Sequence, residues 1–460
     1  MSRSPRIDDL FDVVRPQEPA LSPDGRVAAY VRASVDREQD RPVSEVWSVA
    51  TAGGEPTRLT SGPADSAPAW SPDGSRLAFV RAADGPGQLW LLPTAGGEPS
   101  RLTSLTWGAG AAVWSPDGTQ IAFSAPVAHA GRTPAEHASA PIATTDLNYQ
   151  ADGAGFLGGL RQQIHVVDVA SGTVRQLTWC AGHAAEPVWS RDGSQVYFTT
   201  TVGDDADLTM SMGPHVVDVA SPGSARALPA SAMELEVSVA VHPSTGELLC
   251  IGNADPGIGH TRAWLRGVDS TDITELAADL DRNVMTGAPG YPGAPLTYVA
   301  DDTLLMCIRD RGYVNLLRLD ADGSRRTLVG GAQTVSGLSV SSDGRQAVVV
   351  VSSPESFGEL ARLDLADGTL TALTAYGTGL LSELDWTVPR ERTFTAPDGR
   401  PVHGWILRGE DVDGATPLLL DIHGGPHNAW SGAADAEHLY HQVLAAAGWT
   451  VLLLNPRGSD

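Results

Sequence analysis

The chain has 460 residues, 42% hydrophobic and 19% charged, a globular balance that excludes a disordered polymer and allows two or three domains. Its formal charge is −24 and its basic residues are all arginine, so a basic face for nucleic acid is not expected. Cys180, Cys250 and Cys307 are far apart and form no CxxC pair; they exclude a disulfide framework or zinc site and read as small buried hydrophobes.

The first segment, "MSRSPRIDDLFDVVRPQEP", has no apolar signal region, and no run of 18 apolar residues occurs anywhere. A soluble cytoplasmic protein without a membrane partner is expected. Within residues 1–19, Ile7, Leu10, Phe11 and Val14 fall at i, i+3, i+4 and i+7. That spacing predicts a short amphipathic helix.

From residue 20 to 378 a repeat takes over. "SPDG" stands at 22–25, 71–74 and 115–118, with degenerate copies "SRDG" (190–193), "HPSTG" (242–246), "ADDT" (300–303) and "SSDG" (341–344). A second series alternates with it: "RLT" at 58–60 and 101–103, "QLT" at 176–178, then weaker copies ending with "ALT" at 372–374. Pro-Asp-Gly between apolar runs is a hairpin turn: Pro72 presets φ, Asp73 bonds its own backbone, and Gly74 takes the left-handed position. Four short strands per unit of about 45–50 residues is blade spacing. The expected fold is therefore an all-β, seven-bladed β-propeller over 20–378.

The first unit starts with its own first strand and the last ends with its own fourth, so no strand exchange between the ends is expected. Trp70, Trp114 and Trp189 precede the turn at one register and read as core between blades. The third unit is long, with 75 residues from Ser115 to Ser190. The excess lies near 126–162, an Ala/Gly/Pro-rich insertion that is either a functional or a tolerated loop.

After "LDWTVPRERTF" the repeat stops. A hairpin is predicted around Pro397-Asp398-Gly399, then a buried strand in "TPLLLDIHGGPHNAW" (416–430). A helix follows over 436–448, with Leu439, Val443, Leu444 and Ala447 on one face and Gly448 as its stop. "WTVLLLNP" is a second apolar strand. Strand, helix, strand is a βαβ unit and implies a parallel sheet. "HGGPH" (423–427) and "NPRGSD" (455–460) then lie at strand carboxyl ends, where ligand loops sit. A Gly-Gly turn there bares backbone N–H groups, as the oxyanion-side loop of an α/β-hydrolase does.

Propeller units of "SPDG" type, followed by "HGGPH", "AAAGW" and "NPRGS", resemble the prolyl oligopeptidase family of serine peptidases, in its acylaminoacyl-peptidase and dipeptidyl-aminopeptidase branch. "YQADGAGFLGG" in the long unit fits the same likeness. The resemblance implies that 379–460 begin an α/β-hydrolase catalytic domain and that the propeller gates short peptide substrates. It implies Gly424 and Gly425 as oxyanion-hole residues and His423 and Arg457 as substrate-pocket residues, with no cofactor. Within that pocket His423 reads as positioning the loop, by hydrogen bonding or packing, and Arg457 either binds a substrate carboxylate or carbonyl or simply pairs with an acid.

No G-x-S-x-G elbow exists in the 460 residues, and the triad of this fold runs Ser, Asp, His in chain order. The catalytic residues are expected beyond residue 460, and the sequence reads as C-terminally truncated and inactive alone. Ser459 lacks the elbow glycines. His438 and His441, three apart on a helix, with His423 and His427, raise a metal site. No carboxylate or Cys completes the spacing, and no metal is expected. The alternative is a non-catalytic propeller interaction module with a vestigial hydrolase tail.

Overall fold

The structure, a computed structural model, describes residues 2–83, 85–128, 133–141, 144, 147, 149–151, 155–203, 206–209, 211–255, 259–288, 291–299, 302–409, 414–425 and 428–459. Strands dominate and helices are few and short. The chain forms two compact units, residues 64–280 and residues 1–63 with 281–460.

Two local devices turn the repeats into strands. Ser22, Ser71, Ser115, Ser190 and Ser341 each donate their hydroxyl to the turn aspartate two residues on, at 2.6–2.7 Å. The aspartate also accepts the N–H two residues further, as Asp73 does from Ser75 at 3.0 Å. The serine bond, more than the backbone, holds Asp73 and Asp192 down to about 2. In the second device a threonine closes the fourth strand. Thr60, Thr103, Thr178 and Thr374 accept the N–H of Val46, Leu89, Ile164 and Leu360 at 2.9–3.0 Å. Gln88, Gln163 and Glu359, one residue before three of those donors, accept the threonine hydroxyl at 2.7–2.8 Å. The "LT" signature is thus a buried polar lock, its hydroxyl bonded as both donor and acceptor at Thr103, Thr178 and Thr374.

In the unit of residues 64–280, one antiparallel sheet holds Asp65–Trp70, Arg76–Arg81, Gln88–Pro93 and Ser100–Arg101, and a second holds Val113–Trp114, Gln120–Val127, Arg161–Asp168 and Val174–Gln176. The next two repeats merge into one eight-stranded sheet through a single parallel pairing of Met212 with Leu235. Trp114 Nε1 donates to Ala69 O at 3.0 Å and Trp189 Nε1 to Val113 O at 2.9 Å. Each tryptophan so reaches the sheet before its own. The insertion is narrower than 126–162, because Val127 still pairs with Arg161 in the ladder. Between them lie a helical turn, Pro134–Ser139, and a two-residue hairpin, Gln150–Ala151 with Gly155–Phe156.

In the other unit, Arg15–Leu21 opens the first sheet, five residues earlier than expected. That sheet packs on the sheet of Thr334–Val340, Gln346–Ser353, Ser356–Asp364 and Leu370–Ala372. Leu21, Tyr30, Val348 and Leu360 share a core cluster, and Leu21 N–H donates to Ser339 Oγ at 2.9 Å. The first sheet is made of four consecutive strands; the second has six, because Thr286–Ala288 and Tyr291–Gly293 join it through a parallel pairing of Gly293 with Ser336. Among the described residues, no strand of one chain end enters the sheet of the other. Cys250 and Cys307 are buried and Cys180 is half-buried, and burial pushes the Cys307 thiol up to about 12.

The N-terminal segment is helical where the spacing places it, as a short 3₁₀ helix, Ile7–Asp12, but the apolar face is corrected: Ile7 and Leu10 are exposed. Its buried anchor is Asp9, gripped by both Arg3 nitrogens at 2.7 and 2.9 Å and by Arg6 N–H at 2.8 Å. A charged clamp, not an apolar stripe, fixes the segment.

The last sheet has the order Arg390–Thr395, Pro401–Leu407, Thr450–Asn455, Leu418–Ile422. The hairpin and the βαβ unit are where the sequence places them. The sheet is mixed, however: Leu418–Ile422 runs parallel to Thr450–Asn455, which is antiparallel to Pro401–Leu407. The helix is shorter, Tyr440–Ala446, and its buried residues are His441, Gln442 and Ala445, while Ala447 is exposed. Gln442 is buried because it pairs with Thr387, accepting its N–H at 2.9 Å and donating to its carbonyl at 2.8 Å. Gly448, at φ +86, ends the helix as expected.

Candidate oxyanion-side site

The parallel register, Leu418 with Thr450 through Ile422 with Leu454, sets two loops side by side at one sheet end. One carries His423, Gly424 and Gly425; the other carries Pro456 to Ser459. Pro426 and His427 lie outside the described residues.

Gly424 is exposed, and a Cβ placed on it would meet nothing within 4 Å. Gly425 holds φ at +142, a region that favours glycine. Among the described residues, neither glycine N–H donates to a backbone or side-chain acceptor. Two bare amide donors on a fixed turn can stabilise an oxygen that gains negative charge.

His423 ties the loops together. Its Nδ1 is 3.0 Å from Gly424 O and its Nε2 is 2.8 Å from Ser459 Oγ. A carbonyl can only accept, so Nδ1 carries the hydrogen and the Ser459 hydroxyl donates to Nε2. This joins the two loops without making Ser459 an elbow nucleophile. Arg457 is exposed and paired with Asp398 across the hairpin turn.

The other two histidines are engaged elsewhere. His438 Nδ1 sits 2.6 Å from Asp435 Oδ2, and His441 Nε2 sits 2.8 Å from Asp421 Oδ2. Their rings stack at 5.5 Å, both against the Trp430 edge. The Asp435 bond raises the His438 pKa; burial lowers that of His441, against the pull of Asp421. Among the described residues, no group of three His, Cys, Asp or Glu side chains could hold a metal ion.

Five residues that sequence reasoning did not single out shape the loop. Trp430 N–H donates to Asn455 Oδ1 at 2.7 Å, Asn455 Nδ2 donates to Trp430 O at 2.9 Å, and Trp430 Nε1 donates to Asp421 O at 3.2 Å. Arg309, buried at 2% exposure, donates to Asn428 Oδ1 at 3.0 Å. The one available signal was Asn455 itself, a polar residue where the strand alternation calls for an apolar one.

No family model matches the chain. It is 29% identical over 470 residues to the uncharacterized peptidase YuxL of Bacillus subtilis, covering 98% of this chain and 70% of that protein. Among solved structures, it is similar to the acylaminoacyl peptidase of Pyrococcus horikoshii (TM-score 0.80, 17% identity, 99% of this chain and 67% of that one). It is also similar to the β-propeller domain of the trilobed protease from Pyrococcus furiosus, described as having an open velcro topology (TM-score 0.57, 14% identity, 80% and 97%). The fold is thus that of peptidases that combine a propeller with a hydrolase domain. The covered shares do not by themselves support the expectation of a C-terminally truncated domain.

Proposed function

We propose that this chain is a serine-type peptidase component of the prolyl oligopeptidase family, in its acylaminoacyl or dipeptidyl branch. The observation that carries the reading is the Gly424–Gly425 turn at a parallel strand end, with both N–H groups open. The relatives and structural neighbours support the peptidase class. In this reading residues 20–378 form a seven-bladed propeller that gates short peptides, and residues 379–460 supply the N-terminal part of an α/β-hydrolase domain. Gly424 and Gly425 face the developing oxyanion, while His423 and Arg457 border the substrate pocket. The chemistry is acyl transfer to a serine followed by hydrolysis. The 460 residues contain no nucleophile elbow, so this polypeptide by itself holds the gate and one side of the oxyanion hole. A cytoplasmic location belongs to the same proposal.

The test joins this chain to the remaining 30% or so of the Bacillus relative, the part its alignment leaves uncovered. The fusion should label stoichiometrically with a fluorophosphonate and hydrolyse acylaminoacyl or dipeptidyl anilides. A fusion that labels, and so is folded at its serine, yet cleaves no peptide anilide would count against the peptidase reading.

A further inference from the structure

We propose that Asn455 is the positioning residue of the oxyanion-side loop, acting through Trp430; the assignment rests on reading Gly424 and Gly425 as oxyanion donors. Asn455 ends a strand whose alternation buries Val451 and Leu453 on the same face. Packing alone would place an apolar side chain there, and burying an amide costs free energy unless it is bonded. Asn455 is 7% exposed and fully engaged. It accepts the Trp430 N–H at 2.7 Å, donates to the Trp430 carbonyl at 2.9 Å, and faces His403 Nδ1 at 3.2 Å. Its carboxamide thus pairs with the Trp430 backbone as an adjacent strand would. The Trp430 indole closes the other side by donating to Asp421 O at 3.2 Å.

The consequence is geometric. Asp421 lies two residues before the His423–Gly424–Gly425 turn, and Trp430 five residues after it. Both ends of the loop therefore meet at Trp430, whose indole holds Asp421 and whose backbone is held by the Asn455 side chain. The first residue of "NPRGS" is what fixes the glycine amides of "HGG". Gln442 makes the same two-bond pairing with the Thr387 backbone rather than with Trp430, and supplies an internal control.

The experiment uses the full chain with selectively ¹⁵N-labelled glycine and tryptophan, comparing Asn455→Asp, Asn455→Leu and Gln442→Leu. Asp keeps the acceptor and loses the donor; Leu keeps the volume and loses both. The Trp430 amide should exchange about tenfold faster in Asn455→Asp and about a hundredfold faster in Asn455→Leu. The Gly424 and Gly425 signals should broaden or split in the same order, and stay unchanged in Gln442→Leu. A packing role predicts the reverse ranking, with Leu as good as the native residue, and that ranking overturns the proposal. Glycine signals that stay sharp in Asn455→Asp overturn it too, even if the Leu variant does not fold. The result does not depend on whether the fused enzyme cleaves peptides, so the two readings fail separately.

Discussion

Replacing Glu236 by alanine is expected to cost about 3–5 kcal/mol of folding stability. Glu236 and Arg266 are 2% and 1% exposed, and both carboxylate oxygens are bonded, although Arg266 Nε has no partner among the described residues. Arg266 Nη1 donates to Glu236 Oε2 at 2.8 Å, Ser231 Oγ donates to the same oxygen at 2.8 Å, and Trp264 Nε1 donates to Oε1 at 3.0 Å. Arg266 Nη2 also donates to the Ser270 carbonyl at 2.9 Å. Removing the carboxylate leaves a guanidinium buried without its counter-charge, which is where the cost arises. For a domain stable by about 5–15 kcal/mol, that is a large fraction. Urea unfolding of Glu236→Ala checks it. The double variant Glu236→Met with Arg266→Met should recover most of the loss, because it removes both charges. A single variant within about 1 kcal/mol of the native chain, inside the range of an ordinary surface pair, would show that the pair is solvated.

The second large effect is expected at Gly312. This residue, at φ +82, forms the tip of the hairpin between Leu304–Asp310 and Tyr313–Leu319, and a Cβ there would lie 2.0 Å from the Trp430 carbonyl oxygen. The obstacle is backbone, which cannot swing aside. Beside it, Tyr313 packs edge-on against Trp405 at 5.3 Å, and both belong to the core cluster of the last sheet with Trp430, Ala445 and Leu453. Gly312→Ala meets the left-handed penalty of about 1–2 kcal/mol and an overpacking cost of about 1–3 kcal/mol. Thermal unfolding should fall accordingly, and proteolysis should open residues 428–432 first. Native proteolytic resistance with an unchanged melting temperature would mean that the tip does not rest on Trp430.

What the sequence discloses follows the range of the interactions. The "SPDG" turns and "LT" locks were legible because the turn bonds close within five residues and the locks recur at fixed spacing. The Ser–Asp bond inside the turn was not foreseen, since turn rules emphasise the backbone. Hydrophobic periodicity misled twice. It offered Ile7, Leu10, Phe11 and Val14 as a helix face, whereas Arg3 and Asp9 hold the segment. It also chose Leu439, Val443, Leu444 and Ala447; Leu439 is buried and Leu444 packs on the core, but Ala447 is exposed and the pattern missed the buried His441 and Gln442. Buried polar residues are invisible to an apolar pattern until their partners are known, and Asp421 and Thr387 lie 20 and 55 residues away. Asn455 and Trp430, 25 apart, escaped for the same reason. The Gly-Gly turn was legible because its chemistry is in the backbone and needs no distant partner.

On the proposed reading, this chain holds the oxyanion-side loop of a serine peptidase without its nucleophile. Intact-mass measurement after exposure of the 460-residue chain to a fluorophosphonate tests it most directly. No adduct should form, and Ser459 should stay unmodified beside His423. A stoichiometric adduct, on Ser459 or any other serine of this chain, would contradict it.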